Sequence, residues 1–144
     1  MPRAVILRHD LPDATWHYDW MIERTLPDLE QDPPSRSTPG PDRRCLLTLR
    51  LDPAPVPPPL EPDPAPFLAE RLPDHRALYL DHEGPVSGGR GTVARVAAGV
   101  GAVVRESPDE LVLEADFAGV TCRFRGTPAS DPRRWHFRPL PPGS

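Results

Sequence analysis

Where the prolines fall limits this chain more than any other feature of its sequence. There are 23 among 144 residues, and a proline costs about 3 kcal/mol inside a helix and removes a ladder bond from a central strand. They cluster. The thickest run is Asp52-Pro-Ala-Pro-Val-Pro-Pro-Pro-Leu-Glu-Pro-Asp-Pro-Ala-Pro66, and a second Pro-, Asp- and Ser-rich stretch covers Thr25 to Arg43. Both read as loops. The first is an extended, polyproline-like excursion between two strands rather than an SH3-type ligand. Between the loops the chain breaks into short runs that suit strands: Arg3–Arg8, Trp16–Glu23, Arg44–Leu51, Arg76–Asp81 with His75 at its entrance, and Thr92–Ala98. Ala102–Glu106, Leu111–Phe117, Val120–Arg125 and Trp135–Arg138 follow at hairpin spacing. Phe67–Leu72 is predicted as a single helical turn, and the tail 139–144 as frayed. Eight or nine strands with almost no helix predict one all-β domain, a closed or nearly closed barrel of about eight strands.

The charge balance is −4, so any nucleic-acid footprint must be a local patch. All 17 basic residues are arginine, a side chain whose forked donors suit phosphate. Cys45 and Cys122 form no spaced motif and sit in apolar strands, which predicts buried free thiols in a reducing cytoplasm. No apolar run reaches membrane-spanning length, and the N-terminus lacks the pattern of a signal peptide. A monomer without membrane contact is expected.

The candidate site lies near the N-terminus. In a strand over Trp16–Glu23, His17, Asp19, Met21 and Glu23 share one face while Tyr18, Trp20 and Ile22 share the other. Asp10–Thr15, with Pro12 inside, reads as a hairpin turn that sets His9 beside His17. Two imidazoles and a carboxylate with open positions suit Mn, Fe or Zn better than Ca. The alternative is a surface histidine bonded to a nearby carboxylate.

Read in order, His9-Asp10, His17-Tyr18-Asp19-Trp20-Met21-Ile22-Glu23, Pro73-Asp74-His75 with Tyr79, Asp81-His82-Glu83-Gly84 and Gly91-Thr92-Val93 resemble the 3′-phosphoesterase domain of bacterial ligase D, in its short stand-alone form. The resemblance spans about Val5 to Phe137, interrupted by the proline-rich loops. It implies a β-barrel enzyme using manganese, with zinc as another candidate ion. Such an enzyme trims 3′-phosphate or 3′-ribonucleotide ends of DNA, with an end-joining ligase or polymerase acting in trans. Carried over by residue, His9, His17 and Asp19 match metal ligands, and His75 a histidine at the phosphate or leaving group. Arg50 matches an active-site lysine, Asp10 the acid after the first histidine, and Glu23 the glutamate closing the His-Tyr-Asp element. The sequence departs from the pattern at Met21, where the family has an arginine; Arg71, Arg76 or Arg90 are the candidates to replace that phosphate clamp.

Two other readings stand beside this one. His17-x-Asp19 with His75 fits the facial triad of non-haem Fe(II) oxygenases. A catalytically weakened member of the same fold would bind DNA ends or a repair partner. Outside the resemblance, His75 reads as a strand-end cap and Arg50 as a solvated strand end, and His82 and His136 are taken as structural. Gly84–Gly91 lacks the ending of a phosphate-binding loop and reads as a bent turn.

Overall fold

The computed structural model describes residues 2–24 and 43–141. Strand β1 (Arg3–Asp10) turns back into β2 (Trp16–Glu23) with His9 opposite His17 and Leu7 opposite Asp19. The turn is held by the Leu11 N–H on the Thr15 carbonyl (2.8 Å) and by the Asp13 carboxylate, which accepts from the Thr15 N–H (3.0 Å). After β2 come β3 (Arg44–Leu51), β4 (Phe67–Arg76), the two-residue β5 (Gly84–Pro85) and β6 (Thr92–Glu106). Strands β7 (Leu111–Phe117), β8 (Val120–Pro128) and β9 (Arg134–Pro139) complete the set.

Every pairing is antiparallel, in the order β1-β2-β3-β4-β9-β8-β7-β6, and β6 pairs again with β1. Eight strands therefore close a barrel, with β5 as one outer strand on β6. Closure depends on the length of β6. Its first part pairs with β1 and its last part with β7. At Gly99, between them, a Cβ would lie 2.0 Å from the Asp116 carbonyl oxygen, so only glycine permits that approach.

The lumen is an apolar core containing Trp20, Phe124, Phe137, Leu47, Leu49 and Leu113. The proline-rich connection 52–66 packs on this core through Ala54 and Leu60. It is pinned there by the Tyr18 hydroxyl, which donates to the Ala54 carbonyl (2.5 Å). Its backbone is extended around a 3₁₀ turn at Pro58–Leu60, with φ −67° and ψ 147° at Pro57, the polyproline geometry that its composition favours.

Several sequence expectations change. Thr92–Ala98 and Ala102–Glu106 are not two strands; they form one continuous strand, β6. Phe67–Leu72 is not a helical turn; it begins β4, paired with β3 and β9. Arg76–Asp81 is not a strand. Ala77–Leu80 forms a 3₁₀ turn that lays Tyr79 and Leu80 on the outer wall, and His75 lies inside β4. Pro73 is tolerated in β4 because the register shifts between Leu72 and His75, and β9 pairs only with Phe67–Glu70. The tail is also more ordered at its start: Pro139 ends β9 and the Leu140 N–H bonds the Arg123 carbonyl (2.8 Å). The loop expected over Thr25–Arg43 lies, apart from Arg43, outside the described residues.

The outer face of β1 and β2 is covered as well. Val5, Leu7 and Met21 pack with Leu46, Tyr79 and Val86 into a second, smaller core. Both faces of β2 are thus buried, and its His17 and Asp19 lie at one end of that outer core. Among the described residues, no helix is long and apolar enough to cross a membrane.

Candidate metal centre

His9, His17 and Asp19 converge on the outer wall of the barrel, where the β1–β2 pairing brings them together. One ligand atom from each lies within 4.8 Å of the others. Period-two alternation puts all three on the same side of the sheet, and the cross-strand pairing sets the two imidazole centroids 5.0 Å apart. His17 and Asp19 are only 5% and 3% exposed, which removes the alternative of a surface histidine–carboxylate pair.

The environment orients the ligands. His9 Nε2–H donates to the Arg90 carbonyl (2.7 Å). A carbonyl only accepts, so this bond fixes the tautomer and leaves Nδ1 facing Asp19 Oδ2 at 3.5 Å. The carbonyl is delivered by the glycine-rich turn. Gly91 has φ +96°, and a Cβ there would meet the Asp10 carbonyl oxygen at 2.0 Å, so the turn can lie against β1 only with glycine at this position.

Asp19 is held as a carboxylate. Burial pushes its pKa up, but the imidazoles of His17 and His9 outweigh that and bring it below the usual range. The Asp19 carboxylate in turn raises the pKa of His9 against the effect of burial, with the Arg90 carbonyl adding to it. His17 Nε2 approaches Asp19 Oδ1 to 3.1 Å. Yet Asp19 Oδ1 and His17 Nδ1 are buried without a hydrogen bond. Buried polar atoms are rarely left this way. A cation seated among the three groups satisfies the orphaned carboxylate oxygen, so the residues fit a divalent ion. The cluster can hold a metal; its donor set of two nitrogens and a carboxylate does not select one ion.

These ligands line a pocket of about 550 Å³ together with Arg50, Leu72 and His75. Arg50 is the direct cross-strand partner of Asp19, hence on the same face. His75 bonds the Pro73 carbonyl through Nδ1–H (2.9 Å), and its Nε2 makes no hydrogen bond to the described residues. Asp13, from the hairpin turn, and Arg90 complete the rim. The rim role of Asp13 and the carbonyl of Arg90 escaped the sequence reading; the Gly91-Thr92 break was the signal for the second.

Other expected site residues lie elsewhere. Asp10 points to the opposite side of β1 from His9, and its carboxylate accepts from Arg8 Nη2 (3.0 Å). Glu23 shares the face of His17 but stands six residues along β2, about 20 Å away at strand rise, and accepts the Arg3 N–H (3.1 Å). Arg71 is bound to Glu106, and Arg76 lies over the Tyr79 ring at 5.8 Å, in a neighbouring cleft. Met21 is buried in the outer core beside Val5 and Leu7. The position where the resembling family has an arginine is therefore apolar packing here. His82 bonds the Pro85 carbonyl (2.9 Å), a structural role. The residue whose ligand atom lies within 4.8 Å of those of His17 and Asp19 is His9 rather than His75. No family model matches the chain, and no curated protein matches it in sequence.

Proposed function

We propose that this protein is a divalent-metal-dependent phosphoesterase that removes 3′-phosphate or 3′-ribonucleotide groups from DNA ends. The observation that carries the reading is one pocket holding three convergent metal-ligand side chains, an arginine and a histidine. Its substrate class comes from the resemblance to the ligase D phosphoesterase, which also favours manganese over zinc and implies an end-joining ligase or polymerase in trans.

His9, His17 and Asp19 would hold a divalent ion, which when bound would supply Lewis-acid polarisation of the phosphoryl group for attack by a water molecule. Arg50 presents forked N–H donors to the equatorial oxygens, a contribution worth on the order of a few kcal/mol when such a donor meets developing charge. His75 in its imidazolium form keeps Nδ1–H on Pro73 and offers Nε2–H to the leaving 3′-oxygen. Leu72 supplies an apolar wall. Asp10 and Glu23, turned away or remote, take no part in the chemistry.

The test is hydrolysis of a 3′-phosphorylated primer–template with manganese, by the wild-type chain and by His17→Ala. Turnover that disappears in the variant is expected; undiminished turnover overturns the assignment. A second reading is favoured by Met21: a DNA-end or repair-partner binding module of the same fold. Manganese and DNA binding without hydrolysis would select it.

A further inference from the structure

The metal pocket is larger and less polar than a phosphoryl group requires. Its volume of about 550 Å³ falls in the range, about 300–1,000 Å³, that holds a whole organic ligand. Its accessible wall is mainly apolar, with aliphatic carbon from Leu11, Pro12 and Leu72. Leu11 and Pro12 stand in the turn between β1 and β2, which the Leu11 N–H closes on the Thr15 carbonyl (2.8 Å). Leu72 stands on β4, beyond β3 in the ring. Apolar side chains therefore reach the pocket from two separate elements. At Gly89, also on its rim, a Cβ would meet nothing within 4 Å, so that part of the wall is open. Packing of the fold does not account for these residues. Leu11 and Leu72 are only half-buried and Pro12 is exposed. None of the three belongs to the lumen core, to the outer core or to the partly buried residues packed against either. Apolar carbon that no core covers, gathered beside a few convergent polar groups, is the composition of a small-ligand site.

We infer that this pocket seats the terminal nucleoside together with its 3′-phosphate, and that Leu11, Pro12 and Leu72 determine specificity for it. The phosphate lies at the metal ligands and Arg50, and the sugar and base pack against the three apolar residues. The inference rests on the phosphoesterase reading for placing a phosphate at the ligands; the pocket's size and its uncovered carbon stand apart from that reading. A nucleoside is favoured over a plain alkyl chain because Asp13 and Arg90 share the rim. Their hydrogen-bonding groups can pair with a sugar hydroxyl or a base edge, whereas an alkyl chain would only desolvate them.

Binding to the full chain in the presence of Mn²⁺ is measured by calorimetric titration with two phosphonates. One is methylphosphonate; the other is thymidine carrying a 3′-methylenephosphonate, in which carbon replaces the scissile oxygen and no turnover occurs. The nucleoside compound is expected to bind about tenfold tighter or more. Leu72→Ala should lower that advantage about fivefold to tenfold, the scale of one partly buried leucine side chain. Leu11→Ala, on a different element, should act in the same direction. Affinities for methylphosphonate and Mn²⁺ should stay at the wild-type level in both variants, which also establishes that they fold. Equal binding of the two phosphonates by the wild type, no binding of the nucleoside compound, or an advantage that survives both substitutions would overturn the inference. So would butylphosphonate binding as tightly as the nucleoside compound, which would make the wall a slot for any apolar chain. The two readings fail separately. A chain that prefers the nucleoside compound yet hydrolyses no 3′-phosphorylated primer–template defeats the phosphoesterase reading, and one that hydrolyses it without that preference defeats only this inference.

Discussion

Two groups of charged side chains sit at different places on this barrel, and they are built in opposite ways. At one end of the lumen, Arg24 makes a two-pronged contact with Asp74 (2.6 and 3.1 Å) and also binds Glu106, which Arg71 binds in turn. Strands β4 and β6 stand opposite each other in the ring, so this network spans the barrel mouth. Among its members the carboxylates and guanidiniums answer each other, and Arg71 also lies over the Trp135 ring at 5.8 Å. On the outer wall, His9, His17 and Asp19 are as closely gathered, yet two of their buried polar atoms have no hydrogen-bond partner. A satisfied network holds a fold together. An unsatisfied one costs stability unless a further partner, such as a cation, completes it.

Breaking the network tests the first half of that contrast and should give the largest effect on stability. Arg24 is 13% exposed, and Arg24→Ala leaves Asp74 and Glu106 without their main counter-charge. A loss of about 3 kcal/mol is expected by denaturant titration. A loss below about 0.5 kcal/mol would mean the network is only a screened surface pairing.

Gly91 tests how the second group is positioned. Gly91→Ala must move the turn off the Asp10 carbonyl and adopt a left-handed backbone, at a cost of about 2 kcal/mol. Because that turn delivers the carbonyl that orients His9, metal affinity should also fall about tenfold to a hundredfold. Gly89→Ala is the control: its φ is +66° and a Cβ there meets nothing within 4 Å, so only the backbone strain should register.

A smaller effect is expected from acid. The Arg24 side chain, hydrogen-bonded to Glu106, lowers the glutamate's pKa against the opposing effect of burial, and Arg71 adds to the depression. A carboxyl with a depressed folded pKa contributes stability that is complete above its unfolded value and lost as pH falls through the folded one. Stability should therefore decline through and below the ordinary glutamate range, and Glu106→Gln should flatten that part of the profile. A profile unchanged by the substitution would remove the network from the account of acid sensitivity.

The smallest stability change is expected at the triad itself. Asp19→Asn keeps the shape and removes the buried charge, so the metal-free protein should stay within about 1 kcal/mol of wild type. Thermal unfolding without metal checks this. A loss as large as that of Arg24→Ala would erase the distinction between the two groups.

The two regions also differed in how readily the sequence could be read. The His9–His17 pairing and the face shared by His17 and Asp19 follow from a period of two and one hairpin, both local. So does the barrel class, from short alternating runs between proline-rich loops. What covers the outer wall is not local. Ala77-Leu-Tyr-Leu80 is apolar enough for a strand, but Tyr79 and Leu80 are used to pack over Val5, Leu7 and Met21, and nothing near them in sequence requires it. Strand β4 carries Pro73 in its second half, and the register shift that accommodates it depends on β3. The network joining Arg24, Asp74 and Glu106 links residues 50 and 82 positions apart, a closeness that only the closed ring creates. Asp10 and Glu23 are brought to the site by the family resemblance alone, whereas alternation turns the first away and strand length sets the second at a distance.

The central claim is that two imidazoles and a carboxylate on the barrel wall form one metal site. Titration of the protein with Mn²⁺, followed by the loss of the free-ion electron paramagnetic resonance signal, measures it directly. One ion bound per wild-type chain, with that binding lost in both His17→Ala and Asp19→Asn, is the predicted result. Absence of binding in the wild type, or binding that survives both substitutions, would contradict it.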